Sequence, residues 1–297
     1  MLDPISLAAL ATITSPTAAM VYCMPSMQTQ DATEAVEEIT EKHRDAERAF
    51  FNGKYQEAET DEERQELLEN DRPKLKPYVT ELHEIAKKHP GSEAAATAAS
   101  WVLGLKNRGY DIESEGDWAL AMLMTDHLDS DAIVDVPRLC SGMSSANVAT
   151  LEKIRTESKN ERARALADYY RAGQLIMLGK AAQSIADSDG PNDPYLSYNM
   201  DGIDDELKAS LSEPGAAENF AMQGVNLYEH CLESYTEIAL YDKIMVSTKA
   251  ESSLFAMRNL QIGDVAPNVT GVDAEGVEFN LYDYRGQVVV LDFWGFW

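Results

Sequence analysis

From about residue 32 to residue 260 the apolar residues recur at intervals of three and four, and near Asp264 the interval drops to two. A chain patterned this way is expected to fold as a large helical unit followed by a short strand-forming one, with the boundary near residue 261. Alanine content narrows the helical part further. Ser92 to Leu105 and Glu161 to Leu178 are rich in alanine, and each carries a large aromatic near its middle, Trp101 and Tyr169. Each also follows another amphipathic segment across a short turn. Leu75, Val79, Leu82 and Ile85 run into His89-Pro90-Gly91, and Leu151 and Ile154 run into Lys159-Asn160. Small residues let helices approach closely, so the spacing predicts antiparallel helical hairpins.

Stacked in sequence, such hairpins would make a short irregular solenoid resembling tetratricopeptide-like repeats. The first helix shows one stripe of Val36, Ile39, His43, Ala46 and Phe50, flanked by Glu34, Glu37, Glu38, Glu41 and Glu47. His43 is placed at the stripe's boundary. Asp61 to Asp71 is amphipathic only through Leu67 and Leu68, and Arg72-Pro73 ends it because proline disfavours helix at the residue before it. Ser92 is the expected N-cap of the helix that follows it. Asp117 to Leu128 is read as a helix and Val134 to Ser141 as a shorter one. Residues 179 to 216 are dense in turn formers such as Asp189-Gly190-Pro191 and Asp201-Gly202. Two more helices, Ala217 to Ile238 and about Lys249 to Leu260, complete the unit, and no strand is expected before Asp264.

With 44% hydrophobic residues, 297 residues suffice to bury a core. Against 51 acidic residues stand 25 basic ones, and the formal charge of -26 repels phosphate backbones and anionic lipid surfaces. Nucleic acid is therefore not an expected partner. Cys23, Cys140 and Cys231 form no C-x-x-C pair, and an odd, sparse set is no disulfide framework. Cys231 shares a helical face with Phe220, Gly224, Leu227 and Tyr235, which predicts a buried, inert thiol; Cys140 has no neighbour that would activate it. The five histidines show no ligand spacing, Asp187-x-Asp189 lacks the glycine and terminal glutamate of a calcium loop, and no metal or cofactor is expected. Asn268-Val269-Thr270 fits a glycosylation sequon.

Residues 5 to 23 carry no charge, and the first Lys or Arg is Lys42. That stretch is too short and too rich in Thr, Ser and Pro for a membrane span. Thr17-Ala18-Ala19 would suit the end of a secretory signal, but a positive start is missing and Asp3 stands in its place. Residues 1–30 are accordingly assigned to a signal, an anchor or a disordered N-terminus, 31–260 to the helical domain and 261–297 to the strand-forming unit.

Three motifs in that last unit occur in a telling order. They are Ile262-Gly263-Asp264-Val265-Ala266-Pro267, then Asp273-Ala274-Glu275-Gly276-Val277 with Leu281-Tyr282-Asp283-Tyr284-Arg285-Gly286, then Val288-Val289-Val290-Leu291-Asp292-Phe293-Trp294-Gly295-Phe296-Trp297. Together they resemble the opening of TlpA/ResA-type thiol-disulfide oxidoreductases, in the redoxin (AhpC/TSA, thioredoxin-like) superfamily. Looser likeness to the helical region of some TlpA-like proteins lies in Thr80-Glu81-Leu82-His83-Glu84, Asp126-His127-Leu128-Asp129-Ser130 and Met257-Arg258-Asn259-Leu260. Gln287 and Gly295-Phe296 depart mildly from the family's usual residues.

The resemblance implies a mainly α chain whose helical hairpins lead into the first β-hairpin and strand of an incomplete thioredoxin-like α/β domain. Val269 to Val272 and Val277 to Leu281 would pair around Gly276, which accepts a positive φ. Val288 to Phe293 would be the first central strand, apolar enough to be buried on both faces. The family continues past its Phe-Trp-x-x-Trp into a C-x-x-C, so the first active-site cysteine would follow Trp297. Asp292 matches the acid that moves a proton to or from the second cysteine, and Trp297 would flank the nucleophile on the partner-docking surface. The implied activity is reduction of protein disulfides, with a disulfide-bearing partner, an upstream thiol donor and a periplasmic or cell-envelope location.

Two alternatives stand beside it. A peroxide-reducing AhpC/TSA enzyme would usually show Thr-x-x-Cys, whereas Phe293-Trp294-Gly295-Phe296-Trp297 points to C-x-x-C. A non-catalytic helical interaction protein with a vestigial redoxin tail needs no cysteine pair at all. Lacking a C-x-x-C, the 297 residues are expected to be inactive as a reductase. Their apolar tail is expected to be an exposed, unpaired edge.

Overall fold

A computed structural model describes residues 27–106, 113–187, 203–293 and 295. These residues are mainly helical, with two antiparallel sheets of two strands each. Helix α1 (Met27–Asn52) begins inside the stretch assigned to a leader or disordered terminus. Cys23 and the rest of that stretch lie outside the described residues. On α1, Val36, Ile39 and Phe50 are buried as the stripe requires. His43 is not at a boundary: it is 4% exposed, with its ring edge-on to Tyr78 and to Trp101 at 5.2 Å each. Burial disfavours its charged form and lowers its pKa, so the ring packs as a flat, neutral aromatic.

After the single turn of α2 (Lys54–Glu57), helix α3 (Asp61–Asn70) buries no side chain. Local bonds hold it instead. Thr60 and Glu63 form a reciprocal capping box, Lys54 pairs with Asp71 at 2.7 Å, and Arg72 donates from two nitrogens to Glu47 on α1 at 3.0 and 3.2 Å.

Helix α4 (Lys76–Lys88) turns through Gly91, at φ 75°, into α5 (Glu93–Lys106), whose Ala95 N–H donates to the expected cap, Ser92 Oγ, at 3.1 Å. α6 (Glu113–Asp126), a 3-10 turn at Asp131–Ile133 and α7 (Val136–Leu139) follow, then α8 (Ser145–Glu157) and the long α9 (Glu161–Ala186). α9 continues well past the expected end at Leu178. A first core joins α1 and α4 to α8 through Val36, Val79, Leu82, Val102, Leu123, Ile133 and Ile154.

Helix α10 (Asp205–Leu211) leads to α11 (Ala216–Ser234) and α12 (Val246–Asn259). α11 makes its most extensive contact with α9. Glycines set the closeness of that crossing: a Cβ on Gly179 would lie 3.0 Å from Ala217 O, and one on Gly224 would lie 2.6 Å from Ile176 Cδ1. Leu166, Leu175, Leu227, Cys231 and Leu254 form a second core, and Leu178, Leu207 and Leu211 belong to a third.

Between α11 and α12 the structure corrects the sequence reading. α11 stops at Ser234 rather than Ile238, and β1 (Ala239–Tyr241) pairs with β2 (Ile244–Met245) where no strand was expected. The strands are too short to show a period of two, and the tight turn rests on Asp242 at φ 47°, a left-handed conformation that aspartate tolerates better than most residues.

Beyond Leu254 no described residue is buried. β3 (Thr270–Val272) and β4 (Glu278–Asn280) pair antiparallel, Gly271 opposite Phe279, around a turn in which Gly276 adopts φ 83°. Asp273 Oδ1 accepts from the Glu275 and Val277 N–H groups at 3.0 and 2.8 Å, which fixes the turn. These strands pair only with each other. Val288 to Phe293 is not a strand buried on two faces: Val288 is 97% exposed and Phe293 86% exposed, and among the described residues no strand pairs with them. Among the described residues no helix is long and apolar enough to cross a membrane.

Candidate functional site

Asp292 lies in this exposed final segment, outside any helix or strand, and Trp297 lies outside the described residues. Around the segment runs a groove of about 280 Å³, lined by Val265, Leu281, Tyr284, Val289 and Leu291 among others. Arg285 stacks its guanidinium over Tyr282 at 3.7 Å, and Asn268 Oδ1 accepts from the Tyr282 N–H at 3.2 Å, so the sequon asparagine also ties the chain before β3 to the 3-10 turn at Leu281–Tyr284. The groove is a mainly apolar surface with one cation, Arg285, among its lining residues, and no cysteine, serine or histidine lines it.

Neither described thiol lines it. Cys140 is 3% exposed and Cys231 fully buried. Burial first, and then the nearby charge of Asp168, push the Cys231 thiol up to about 12. Such a thiol is almost wholly protonated near neutrality and supplies no nucleophile.

The most elaborate polar constellation was not visible in the sequence. Asp168, 5% exposed on α9, accepts from Arg155 Nε at 2.8 Å and from Tyr235 Oη at 2.7 Å. Arg155 Nη1 and Arg171 Nε both donate to Glu152 at 2.9 Å. Arg171 also donates to Gln174 Oε1 at 2.7 Å, and Gln174 Nε2 donates to the Gly142 carbonyl at 2.6 Å. Burial alone would raise the Glu152 pKa and lower that of Arg155. The reciprocal bonds outweigh it, so Glu152 is held below its usual range and Arg155 above its own. Burial and then the Asp168 carboxylate push the Tyr235 phenol up. The network thus joins α8, α9 and the end of α11 through a continuous set of side-chain hydrogen bonds.

Its edge has a hydroxyl, an imidazole and a carboxylate in order: Ser234 Oγ lies 3.3 Å from His230 Nδ1, and His230 Nε2 lies 3.6 Å from Asp168 Oδ2. The second separation is too long for a hydrogen bond, and that oxygen already accepts the Tyr235 hydroxyl. Asp168 is committed to structure and does not orient His230 as a triad acid would. No protein-family model, curated protein or solved structure matches the chain.

Proposed function

We propose that residues 261–297 are the opening of a thioredoxin-like domain, and that the protein, in a form continuing into a C-x-x-C, is a thiol-disulfide oxidoreductase of the TlpA/ResA type. The observation that supports this most is the order of elements after Asn259: the β3–β4 hairpin, the 3-10 turn at Leu281–Tyr284, then the exposed apolar run of Val288 to Leu291. An apolar strand-forming segment left in solvent is what the start of a sheet looks like before its neighbours are added. In the proposed reaction a cysteine thiolate attacks one sulfur of a partner disulfide and expels the other as a thiolate. The second cysteine then attacks the mixed disulfide, releases the reduced partner and leaves an intramolecular disulfide for an upstream thiol donor to reduce. Asp292 would hold or deliver the proton of the second cysteine, and Trp297 would border the nucleophile. The helical hairpins, read as a tetratricopeptide-like stack, would serve as the partner-binding scaffold in a periplasmic or cell-envelope setting.

A second reading, a helical interaction protein without catalysis, is favoured by the burial of Cys140 and Cys231 and by the placement of all three cores among the helices. Insulin-disulfide reduction separates the two. The 297-residue chain should match a cysteine-free control, while the product read through the codons after Trp297 should reduce insulin and lose that activity when its C-x-x-C becomes A-x-x-A. A Thr-x-x-Cys there, with peroxide consumption, would favour the AhpC/TSA alternative. A stop codon directly after Trp297 would leave the scaffold.

A further inference from the structure

Helices α2 and α3 bury no side chain, and the two leucines of α3, Leu67 and Leu68, are only half-buried. A segment with so little apolar burial opens at a small fraction of the free energy that unfolds the cores. What holds it is polar. Lys54 and Asp71 tie its start to its end at 2.7 Å, an exposed pair that contributes little. Arg72 makes the stronger link, donating twice to Glu47 on α1 and lying over the Phe51 ring at 5.7 Å from its centroid. Gly53 precedes the segment and Pro73 follows it, and Leu75, two residues further on, is anchored in the first core. Under the segment lies a separate aromatic cluster: Phe50 is buried but belongs to none of the three cores, and its ring meets Phe51 at 5.1 Å and Tyr55 of α2 at 6.0 Å.

Charge gives this arrangement a direction. From Lys54 to Asp71 the chain carries eight carboxylates against Lys54 and Arg64, and the rest of the protein is net acidic as well. The segment is therefore repelled by the body it folds against. That repulsion acts over long distances through solvent, so salt screens it, while the short and largely covered bonds of Arg72 to Glu47 are screened much less. Added salt should remove the force that opens the segment and spare the one that closes it.

We propose that residues 54–72 form a strap that swings open between Gly53 and Pro73 while the three cores stay folded, and that ionic strength sets how often it opens. Low salt opens it and carries Tyr55 away from Phe50 and Phe51; high salt closes it over them. Native-state amide exchange of the 297-residue chain tests this at about 0.02 M and about 0.5 M NaCl, where the screening length falls from roughly 20 Å to roughly 4 Å. Exchange is expressed as protection relative to a synthetic peptide of residues 54–74 in the same buffer, and urea is varied at each salt. Amides from Gln65 to Asn70 should be protected at least about a hundredfold less than those of α9, and their exchange should depend little on urea, as a local opening requires. Their protection should rise several-fold from low to high salt. Arg72→Gln should lower it about tenfold or more, on the scale of a lost hydrogen bond to a charged group, and should weaken cross-relaxation between the Tyr55 and Phe51 rings at low salt. Glu59→Gln with Glu66→Gln, two exposed carboxylates of the strap, should raise the protection and flatten its salt response. Urea dependence equal to that of α9 would mean that α3 opens only with the whole unit and would overturn the proposal. Protection that falls with salt, or ring contacts that persist in Arg72→Gln while α3 exchanges faster, would overturn it too.

Discussion

Asp204 and Ser145 are 59 positions apart in the chain, yet Asp204 takes both donors of Ser145: the backbone N–H at 2.8 Å on Oδ2 and the hydroxyl at 2.7 Å on Oδ1. The same carboxylate caps its own helix, α10, by accepting the Leu207 N–H at 3.0 Å. One side chain therefore serves the starts of two helices, α8 and α10, where backbone donors have no intrahelical partners. The Ser145 hydroxyl, the Ser145 N–H and then the Leu207 N–H stabilise its charged form and lower its pKa to about 2. A carboxylate depressed by folding contributes stability that is complete above its unfolded pKa, roughly 3.9, and is lost as pH falls through its folded value. Urea midpoints of the parent and of Asp204→Asn should accordingly differ most near pH 5 and converge toward pH 2. A gap that stays constant across that window would refute the role given to the charge.

Much of this architecture could be read in the sequence because its determinants are local. Ser92 sits directly before the alanine-rich helix it caps, and the turn at Asp273 to Gly276 carries the residues a tight hairpin needs. Asp204 could be read as a cap for α10, since Asp205 and Glu206 follow it in the first turn, but nothing near it names Ser145. Asp168 was hidden for the opposite reason. Inside Ala-Asp-Tyr-Tyr-Arg-Ala it looks like one more surface charge, and only the packing of α8 and α11 on α9 turns it inward to meet Arg155 and Tyr235. His43 misled because its ring packs as an aromatic only once Tyr78 and Trp101 arrive from other helices.

Removing Asp168 should cost more than removing any single partner. Asp168→Leu would leave the partly buried Arg155 guanidinium without its nearest acceptor and should destabilise by about 3 kcal/mol, toward the lower end expected for a broken buried pair. Tyr235→Phe deletes one hydrogen bond to a charged acceptor and should cost about 1.5–3 kcal/mol. Because the two side chains touch, the double variant should be less destabilised than the sum of the singles. Additive losses in denaturant unfolding would show that they act independently.

Glycine positions give a test with opposite signs. Gly179→Ala and Gly224→Ala would drive a methyl against backbone atoms at 3.0 Å, Ala217 O and Ala172 O respectively, and should each destabilise by about 1–3 kcal/mol. Gly104 also lies inside a helix, but a Cβ there meets nothing within 4 Å. Gly104→Ala should therefore stabilise by about 0.5–1 kcal/mol through lower unfolded-chain entropy. Thermal melts of the three variants should fall on both sides of the parent.

The final segment should behave as unstructured backbone. Val288 to Phe293 lies outside any helix or ladder, so its amides should exchange at rates close to those of a free peptide, while those of α9 stay protected. Slow exchange across Val290 and Leu291 in the 297-residue chain would mean that the apolar run finds a pairing partner, for instance a second copy.

Thiol labelling tests how far the two described cysteines are from redox chemistry. A thiol at about 12 has about one part in ten thousand ionised at pH 8, against roughly a quarter for a free cysteine near 8.5. That difference alone should slow alkylation of Cys231 by about a thousandfold, and its full burial should slow it further. Cys140, 3% exposed, should be shielded mainly by access. Iodoacetamide at pH 8 followed by peptide mass mapping should leave both unmodified in the native protein and modify both in denaturant. Rapid native labelling of Cys231 would mean that α11 opens readily against α9. It would also weaken the argument that disulfide chemistry must come from cysteines other than these two.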